Sequence, residues 1–294
     1  MRKERLLGHI FTFTTIAIWS VAFVSNKALL AYISPIENMI LRFSIAYLLL
    51  LLLYPHFRKP YCLRDEIRFF LLGFLGIFVY FLLENFALKF TQATNVGLYM
   101  GALPLFTALF AHFLTKDERI SKNVIVGFLV AIVGIALILF DGVGFKVRLK
   151  GDMLAILAAV VFALYSVVLK LAPKGYHYIV ITRKSFFYGI ILMLLYFIIT
   201  GRVFHYQSLT IPVVWINILF LGVLSSGLAF ILWQQGIERI GAMSASNYIY
   251  LVPLITAVTG IVALGEKLTL KMVVGAVLIL IGLFIAQRSG SHKK

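Results

Sequence analysis

Cysteine is almost absent from this chain: Cys62 is the only one in 294 residues. That excludes an internal disulfide and any cysteine-built metal cluster. Charge is scarce as well, at 13% of residues, and acid is the scarcer sign, with 11 Asp and Glu against 27 Lys and Arg. An ordinary soluble domain carries roughly a quarter charged residues. At 62% hydrophobic and a mean hydropathy of +1.01, a water-soluble fold of this length could not cover its apolar surface. Lipid is the solvent this composition requires. Catalytic signatures are missing too. No His/Asp motif recurs, and His112 has no acidic or histidine neighbour at helical spacing. Neither an enzyme, a metal site nor a cofactor is expected.

What is present is basic charge, +16 net with a pI near 10.0. In a soluble protein that would suggest nucleic acid. Here Lys and Arg gather at the ends of apolar runs, where they set topology and meet anionic headgroups, so the lipid bilayer is the expected partner and nucleic acid is not. The N-terminal Met1-Arg2-Lys3-Glu4-Arg5 has the charge of a signal-peptide n-region. The run after it is long and ends in Ser25-Asn26-Lys27 with no small-residue cleavage pattern, so it reads as a span.

A spanning helix needs about 20 predominantly apolar residues. Ten segments qualify: 7–27, 36–54, 68–88, 94–114, 122–140, 152–171, 179–199, 212–232, 242–264 and 270–287. The connections between them carry turn and cap chemistry. Ser34-Pro35-Ile36-Glu37 is a capping box with proline at the first helical position, and Asp141-Gly142-Val143-Gly144 stops the fifth span. Placing the richer set of cations inside, among them Arg58, Lys59, Arg64, Arg68, Lys116 and Arg119, puts both termini in the cytoplasm.

One long internal repeat is legible. Gly8 through Lys27 overlays Gly151 through Lys170 at an offset of 143 residues, with Trp19 matched to Phe162. Thr94 through Ala108 overlays Met243 through Ala257 at 149, keeping Tyr99 with Tyr248 and Pro104 with Pro253. Glu118 then overlays Glu266, and Gly127 and Gly134 overlay Gly275 and Gly282, at 148. Chance similarity of hydrophobic helices does not keep a proline, a tyrosine, a loop glutamate and two glycines in register. The expected architecture is therefore an all-α membrane protein with ten transmembrane helices as two inverted five-helix repeats. Residues 1–141 form the first repeat, 142–150 the loop between repeats, 151–288 the second repeat and 289–294 a short cytoplasmic tail. Five spans per half is an odd number, so the second half enters from the opposite side. Inverted repeats suit alternating access.

These residues resemble the drug/metabolite transporter superfamily, specifically its ten-helix EamA family. The matching run is Ala87 through Thr94 to Pro104, then Asp117-Glu118-Arg119-Ile120 and Gly127; it recurs as Gly236 through Met243 to Pro253, then Gly265-Glu266-Lys267-Leu268 and Gly275. Lys116-Asp117-Glu118 stands where Leu-Gly-Glu would be usual. The resemblance implies a multi-pass carrier of the plasma (inner) membrane, often an exporter of amino acids or related metabolites.

Polar residues at membrane depth face a cavity or a partner. Arg42 is placed either to receive a substrate carboxylate or phosphate, or to pair with Glu37 or Glu84, or to snorkel. Glu84, with Asn85, either binds a proton or an amine, or holds Arg42. Trp233 and Gln234 occupy the matching stretch of the eighth span. Asn95, Tyr99, Asn247, Tyr248 and Tyr250 either line the pathway or mark close helix packing. Pro104 and Pro253 each free a carbonyl and are candidate hinges. Lys27 and Lys170 read as snorkelling anchors or gate charges. The leading function is export or exchange of a small-molecule metabolite by alternating access, with a proton as a candidate coupling ion. The alternative, a proton-coupled pump for hydrophobic cations, is disfavoured because spans one and six contain no acid. Oligomeric state is not encoded in these features.

Overall fold

The computed structural model describes residues 2–57, 60–91, 93–142, 148–204, 206–252, 254–255 and 270–288. The regular elements among them are all helices, with no strand. Helix α1 spans Arg2–Leu29 and α2 Pro35–Leu53. α3 runs over Leu63–Phe90 with a π-helical stretch at Gly73–Val79. Two short pieces follow, α4 (Ala93–Met100) and α5 (Leu103–Leu114), then α6 (Lys122–Gly142). The second repeat opens with α7 (Leu149–Lys170) and α8 (Tyr178–Ile199). α9 covers Pro212–Ile240 with its own π-helical stretch at Phe220–Leu228. α10 (Ala242–Ser246) leads into a 3-10 turn at Asn247–Tyr250, and α11 is Leu270–Gln287. Six of these, α1, α2, α3, α7, α8 and α9, are long and apolar enough to cross a bilayer, and apolar stretches of α5, α6 and α11 are shorter. The chain is a multi-pass membrane protein.

Local sequence explains most boundaries. The Ser34 hydroxyl accepts from the Glu37 N–H, and the Ser34 N–H donates to Glu37 Oε2 at 2.8 Å, completing the capping box that opens α2. Pro212 starts α9. Gly241, at φ 85°, ends it, a conformation that costs glycine nothing. α3 and α9 begin earlier or run longer than expected, because amphipathic ends such as Leu63-Arg64-Asp65-Glu66 and Gln234-Gln235-Gly236-Ile237-Glu238 extend the helix past the purely apolar core. The expected continuous spans 94–114 and 242–264 are interrupted. Gly101 and Ala102 form a turn between α4 and α5, and Pro104 begins the second piece rather than kinking a continuous helix. Pro253 and residues 256–269 lie outside the described residues.

The repeats interlock crosswise. α1 packs on α9 as α7 packs on α3; α2 packs on the π-helical stretch of α9 as α8 packs on that of α3. Glycines record the symmetry. A Cβ built on Gly222 would lie 2.8 Å from the Ile45 side chain and 3.2 Å from the Arg42 carbonyl oxygen; one on Gly73 would lie 2.8 Å from the Tyr188 side chain and 2.5 Å from the Ser185 carbonyl oxygen. Arg42 and Ser185, and Ile45 and Tyr188, are repeat partners at the offset of 143.

α6 and α11 show the sense of the axis. Gly127 abuts the Gly282 carbonyl and Gly134 abuts the Gly275 carbonyl, each 2.6 Å from a built Cβ. Numbers rise along α6 as they fall along α11, so the helices are antiparallel. Exchanging each glycine for its repeat partner turns one contact into the other. That is a two-fold axis perpendicular to the spanning helices, which lies in the membrane plane: the inverted repeat.

Candidate functional site

Residues that touch their own repeat partners must flank this axis. Trp19 and Phe162 do so edge to face, with ring centroids 5.5 Å apart. Phe81 and Phe230 do so at 6.1 Å. Together they form an aromatic box at the centre of the molecule, and a cavity opens on it. Trp19, Phe23, Tyr80, Phe81 and Phe162 supply its apolar wall, and Arg42, Glu84 and Ser225 its polar groups. The space between atoms is about 540 Å³, its open mouth included.

Arg42 is 2% exposed. Its Nε donates to Ser226 Oγ at 2.9 Å and its Nη2 to Ser225 Oγ at 3.1 Å. The guanidinium lies over Phe81, 4.6 Å from the ring centroid, and beside Phe43 at 5.2 Å. Of the partners weighed from sequence, neither Glu84 nor Glu37 is within ion-pair distance among the described residues; the serines of the α9 π-helical stretch hold the arginine instead. The reason is local. Gly222 and Gly227 let α2 approach α9 closely, which brings Ser225 and Ser226 to the arginine. The Ser225 carbonyl also accepts from Trp19 Nε1 at 3.0 Å.

Glu84 faces the same cavity and is 4% exposed. Its Oε1 accepts from Asn26 Nδ2 at 3.4 Å. Asn38 Nδ2 donates to Asn26 Oδ1 and to Asn85 Oδ1, the latter at 3.2 Å. Asn85 Nδ2 in turn donates to the Phe81 carbonyl at 2.8 Å. This carboxamide chain ties α1, α2 and α3 together beneath the carboxylate. Glu84 Oε2 and Asn38 Oδ1 make no hydrogen bond of good geometry among the described residues, although the Tyr80 hydroxyl lies beside the Glu84 carboxylate. A buried acceptor left this way costs about 1–3 kcal/mol, so such atoms favour a donor arriving with a ligand.

Among the described residues the second repeat contributes no charge here. Trp233, the repeat partner of Glu84, is fully buried behind Trp19, at 5.2 Å between rings, and Phe162, at 5.9 Å. Its indole N–H, Asn247 Oδ1, Ser246 Oγ and the Tyr250 hydroxyl are buried without a protein partner among the described residues. Gln234 turns away and accepts from Thr182 Oγ1 at 2.9 Å. Tyr248 reaches His9 Nδ1 at 2.9 Å, and its repeat partner Tyr99 lies beside Asp152. Asn95 belongs to α4, but its side chain lies outside the described residues. Pro104 is buried at the start of α5.

Two expectations need correction. The sixth span does carry an acid: Asp152, in the first turn of α7, accepts from Thr91 Oγ1 at 2.8 Å and from the Arg148 N–H at 2.8 Å. It is a structural cap and does not line the cavity. Nor are Lys27 and Lys170 free snorkelling anchors. Lys27 donates to the Leu88 and Thr91 carbonyls, and Lys170 pairs with Asp117 and Glu118. Sequence reasoning passed over Asn26, Asn38 and the Ser225-Ser226 pair. Only the serines carried a signal, as polar residues inside a span and flanked by Gly222 and Gly227.

The same sequence pattern matches a family model twice, over residues 6–140 and 149–287, described as the EamA-like transporter family. The chain belongs to the EamA-like transporter family. EamA relatives match end to end. "Uncharacterized transporter YyaM" of Bacillus subtilis is 29% identical over 96% of this chain and 92% of its own length. An uncharacterized transporter of Clostridium kluyveri is 28% identical over 98% and 94%. A solved crystal structure shares the fold at a TM-score of 0.76 with 21% identity, covering 99% of this chain and 98% of that one.

Proposed function

We propose that the chain is a secondary carrier that exports or exchanges a small zwitterionic metabolite, such as an amino acid, by alternating access through the central cavity. The observation that carries this is the pairing of Arg42 and Glu84 in one aromatic cavity without an ion pair between them. Arg42 supplies a buried cation, and the Glu84 carboxyl can take up the counter-charge when an ammonium arrives, which leaves the loaded site neutral overall. A zwitterion keeps it neutral, with its carboxylate on Arg42 and its ammonium on Glu84 Oε2. Burying a lone ionised ligand there costs several kcal/mol. The apolar wall of Trp19, Phe23 and Phe162 then suits an apolar side chain.

Pro104, at the head of α5, is proposed as a hinge on which α5 tilts relative to α4, since the chain already breaks before it. Repeat 1 is proposed as residues 1–141 and repeat 2 as 151–288, with both termini cytoplasmic in the plasma membrane. A hydrophobic-cation pump is less well supported, because Arg42 would repel such a ligand from the cavity that Glu84 lines.

Proteoliposomes loaded with a mixed amino-acid pool test the reading. Uptake of a radiolabelled amino-acid hydrolysate is expected, with competition by zwitterions. Analogues lacking either the amine or the carboxylate should compete at least about 30-fold less well, since losing one partner of a buried charge pair costs about 2–5 kcal/mol. Equal competition by the des-amino analogue would remove Glu84 from the assignment.

A further inference from the structure

Behind the cavity, the first repeat buries polar side chains where the second repeat is mostly apolar. Asn26 on α1, Asn38 on α2 and Asn85 on α3 are each 1% exposed or less, and Glu84 beside Asn85 is 4% exposed. Glu84 lines the cavity; the three asparagines lie off it. The matching positions, at offsets of 143 for α1 and α2 and 149 for α3, hold Leu169, Ile181, Trp233 and Gln234. All four are buried, and Leu169, Ile181 and Trp233 belong to the apolar core. Packing at these positions is therefore met largely by apolar side chains. The fold alone gives no reason to bury three carboxamides and a carboxylate there.

The bonding of this cluster leaves oxygen in excess. Asn38 Nδ2 donates to Asn26 Oδ1 and, at 3.2 Å, to Asn85 Oδ1, so both oxygens face one point. Asn26 Nδ2 reaches Glu84 Oε1 at 3.4 Å. Glu84 Oε2 and Asn38 Oδ1 make no hydrogen bond of good geometry among the described residues, and the single proton of the Tyr80 hydroxyl beside the carboxylate cannot serve both. A carboxamide turned end for end exchanges its NH2 for its oxygen in the same space. Turning Asn38 in this way points its oxygen at those of Asn26 and Asn85, with the carboxylate adjacent. Such an arrangement is repulsive until a cation stands among the oxygens, and hard cations take oxygen ligands of this kind. The nearest protein cations are committed elsewhere: Arg42, one turn along α2, to Ser225 and Ser226, and Lys27 to the Leu88 and Thr91 carbonyls.

We propose that Asn26, Asn38, Asn85 and Glu84 form a binding site for a monovalent alkali cation, Na⁺, with Glu84 supplying the negative charge and the amide oxygens the further ligands. One carboxylate matches one positive charge, whereas divalent sites draw on more anionic ligands. Four buried side chains bonded to one another leave room for the smaller alkali ion rather than K⁺. Glu84 then has two uses. Its carboxylate carries one charge, so the ion behind it and a substrate ammonium in the cavity compete for it, and the ion leaves as the substrate enters. That competition rests on the zwitterion reading; the cation site itself does not.

Sodium alone tests the site. The purified full chain in detergent is melted at constant ionic strength in NaCl, KCl or choline chloride. NaCl should raise the melting temperature by a few degrees and saturate, because an ion that binds only the folded chain stabilises it, while KCl and choline leave it unmoved. Radioactive sodium should bind the parent. Glu84→Gln and Asn38→Ala should each weaken that binding at least about ten-fold, since even indirect partners of a bound metal are worth about 10–100-fold. If Asn38→Ala does not fold, Glu84→Gln and the parent's own salt comparison decide the matter. An equal response to NaCl and KCl, or undiminished sodium binding in Glu84→Gln, would overturn the site. A melting temperature that ignores NaCl but rises on acidification in choline would overturn it in favour of a proton. Amino-acid hydrolysate should displace most of the bound sodium; sodium left in place would keep the site and overturn the shared use of Glu84. Absent sodium binding with hydrolysate uptake intact would overturn the site and leave the carrier reading standing.

Discussion

Replacing Arg42 by methionine should cost little stability and most of the transport. The substitution removes two charge-assisted hydrogen bonds, to Ser225 and Ser226, each contributing about 1.5–3 kcal/mol. It also removes the cation–π contact over Phe81 at 4.6 Å, about 0.5–2 kcal/mol. Against these stands the desolvation of a guanidinium that is 2% exposed, a penalty of several kcal/mol that disappears with the charge. Methionine fills the same elongated space without strain. The freed hydroxyls can turn back to the carbonyls four residues earlier, as Ser20, Ser166 and Ser185 already do. The terms cancel to within about 2 kcal/mol, so the melting temperature in detergent should move by only several degrees. Transport should fall much further. A substrate carboxylate without its buried partner loses about 2–5 kcal/mol, at least about a 30-fold rise in the half-saturating concentration. The paired assays are thermal unfolding of the purified variant and uptake of labelled amino-acid hydrolysate into proteoliposomes. A collapse of the melting temperature in step with lost transport would show that Arg42 is a structural clamp. Unchanged transport would remove it from the pathway.

Other expectations follow from the packing and the exposed charges. Gly134→Ala should destabilise by about 1–3 kcal/mol, because its methyl group would press on the immovable Gly275 carbonyl. Gly97→Ala, with nothing within 4 Å of the added carbon, should be neutral or slightly stabilising in the helix; thermal unfolding of both variants gives the contrast. The Lys170 ammonium, hydrogen-bonded to Asp117, holds that carboxyl below the usual carboxylate range. A depressed carboxyl contributes its stability above the unfolded value and loses it as pH falls below about 4. Melting followed from pH 6 to pH 3 should therefore steepen at the acid end, by a small amount because Asp117 is largely exposed, and Lys170→Gln should flatten that slope.

The fold was largely legible because lipid imposes length and composition on every span, and because the repeat left paired marks. Gly127 and Gly134 with Gly275 and Gly282 announced an equivalence that the α6–α11 crossing realises atom by atom. The interruption at Gly101-Ala102 was not legible, since an apolar run reads the same whether or not a turn breaks it. At the site, charge at depth gave Arg42 and Glu84 directly. Their partners were hidden, because contact between α2 and the α9 π-helical stretch depends on how closely glycines let two distant helices approach. Arginine suggested an acidic partner and found two serines. Asn26 and Asn38 lie near span ends, where polarity is ordinary; only the fold brings them under Glu84. Trp19 and Phe162 were visible as a matched pair, but their place on the symmetry axis emerged only when the repeat partners were seen to touch.

The central claim is that one cavity on an in-plane axis serves the two sides of the membrane in turn. Trans-stimulation tests it most directly. Proteoliposomes preloaded with unlabelled amino acids and empty ones are compared for initial uptake of the labelled hydrolysate. An alternating-access carrier returns loaded faster than empty, so preloading should accelerate uptake several-fold, and Glu84→Gln should abolish the difference. Identical uptake into loaded and empty vesicles would contradict the account.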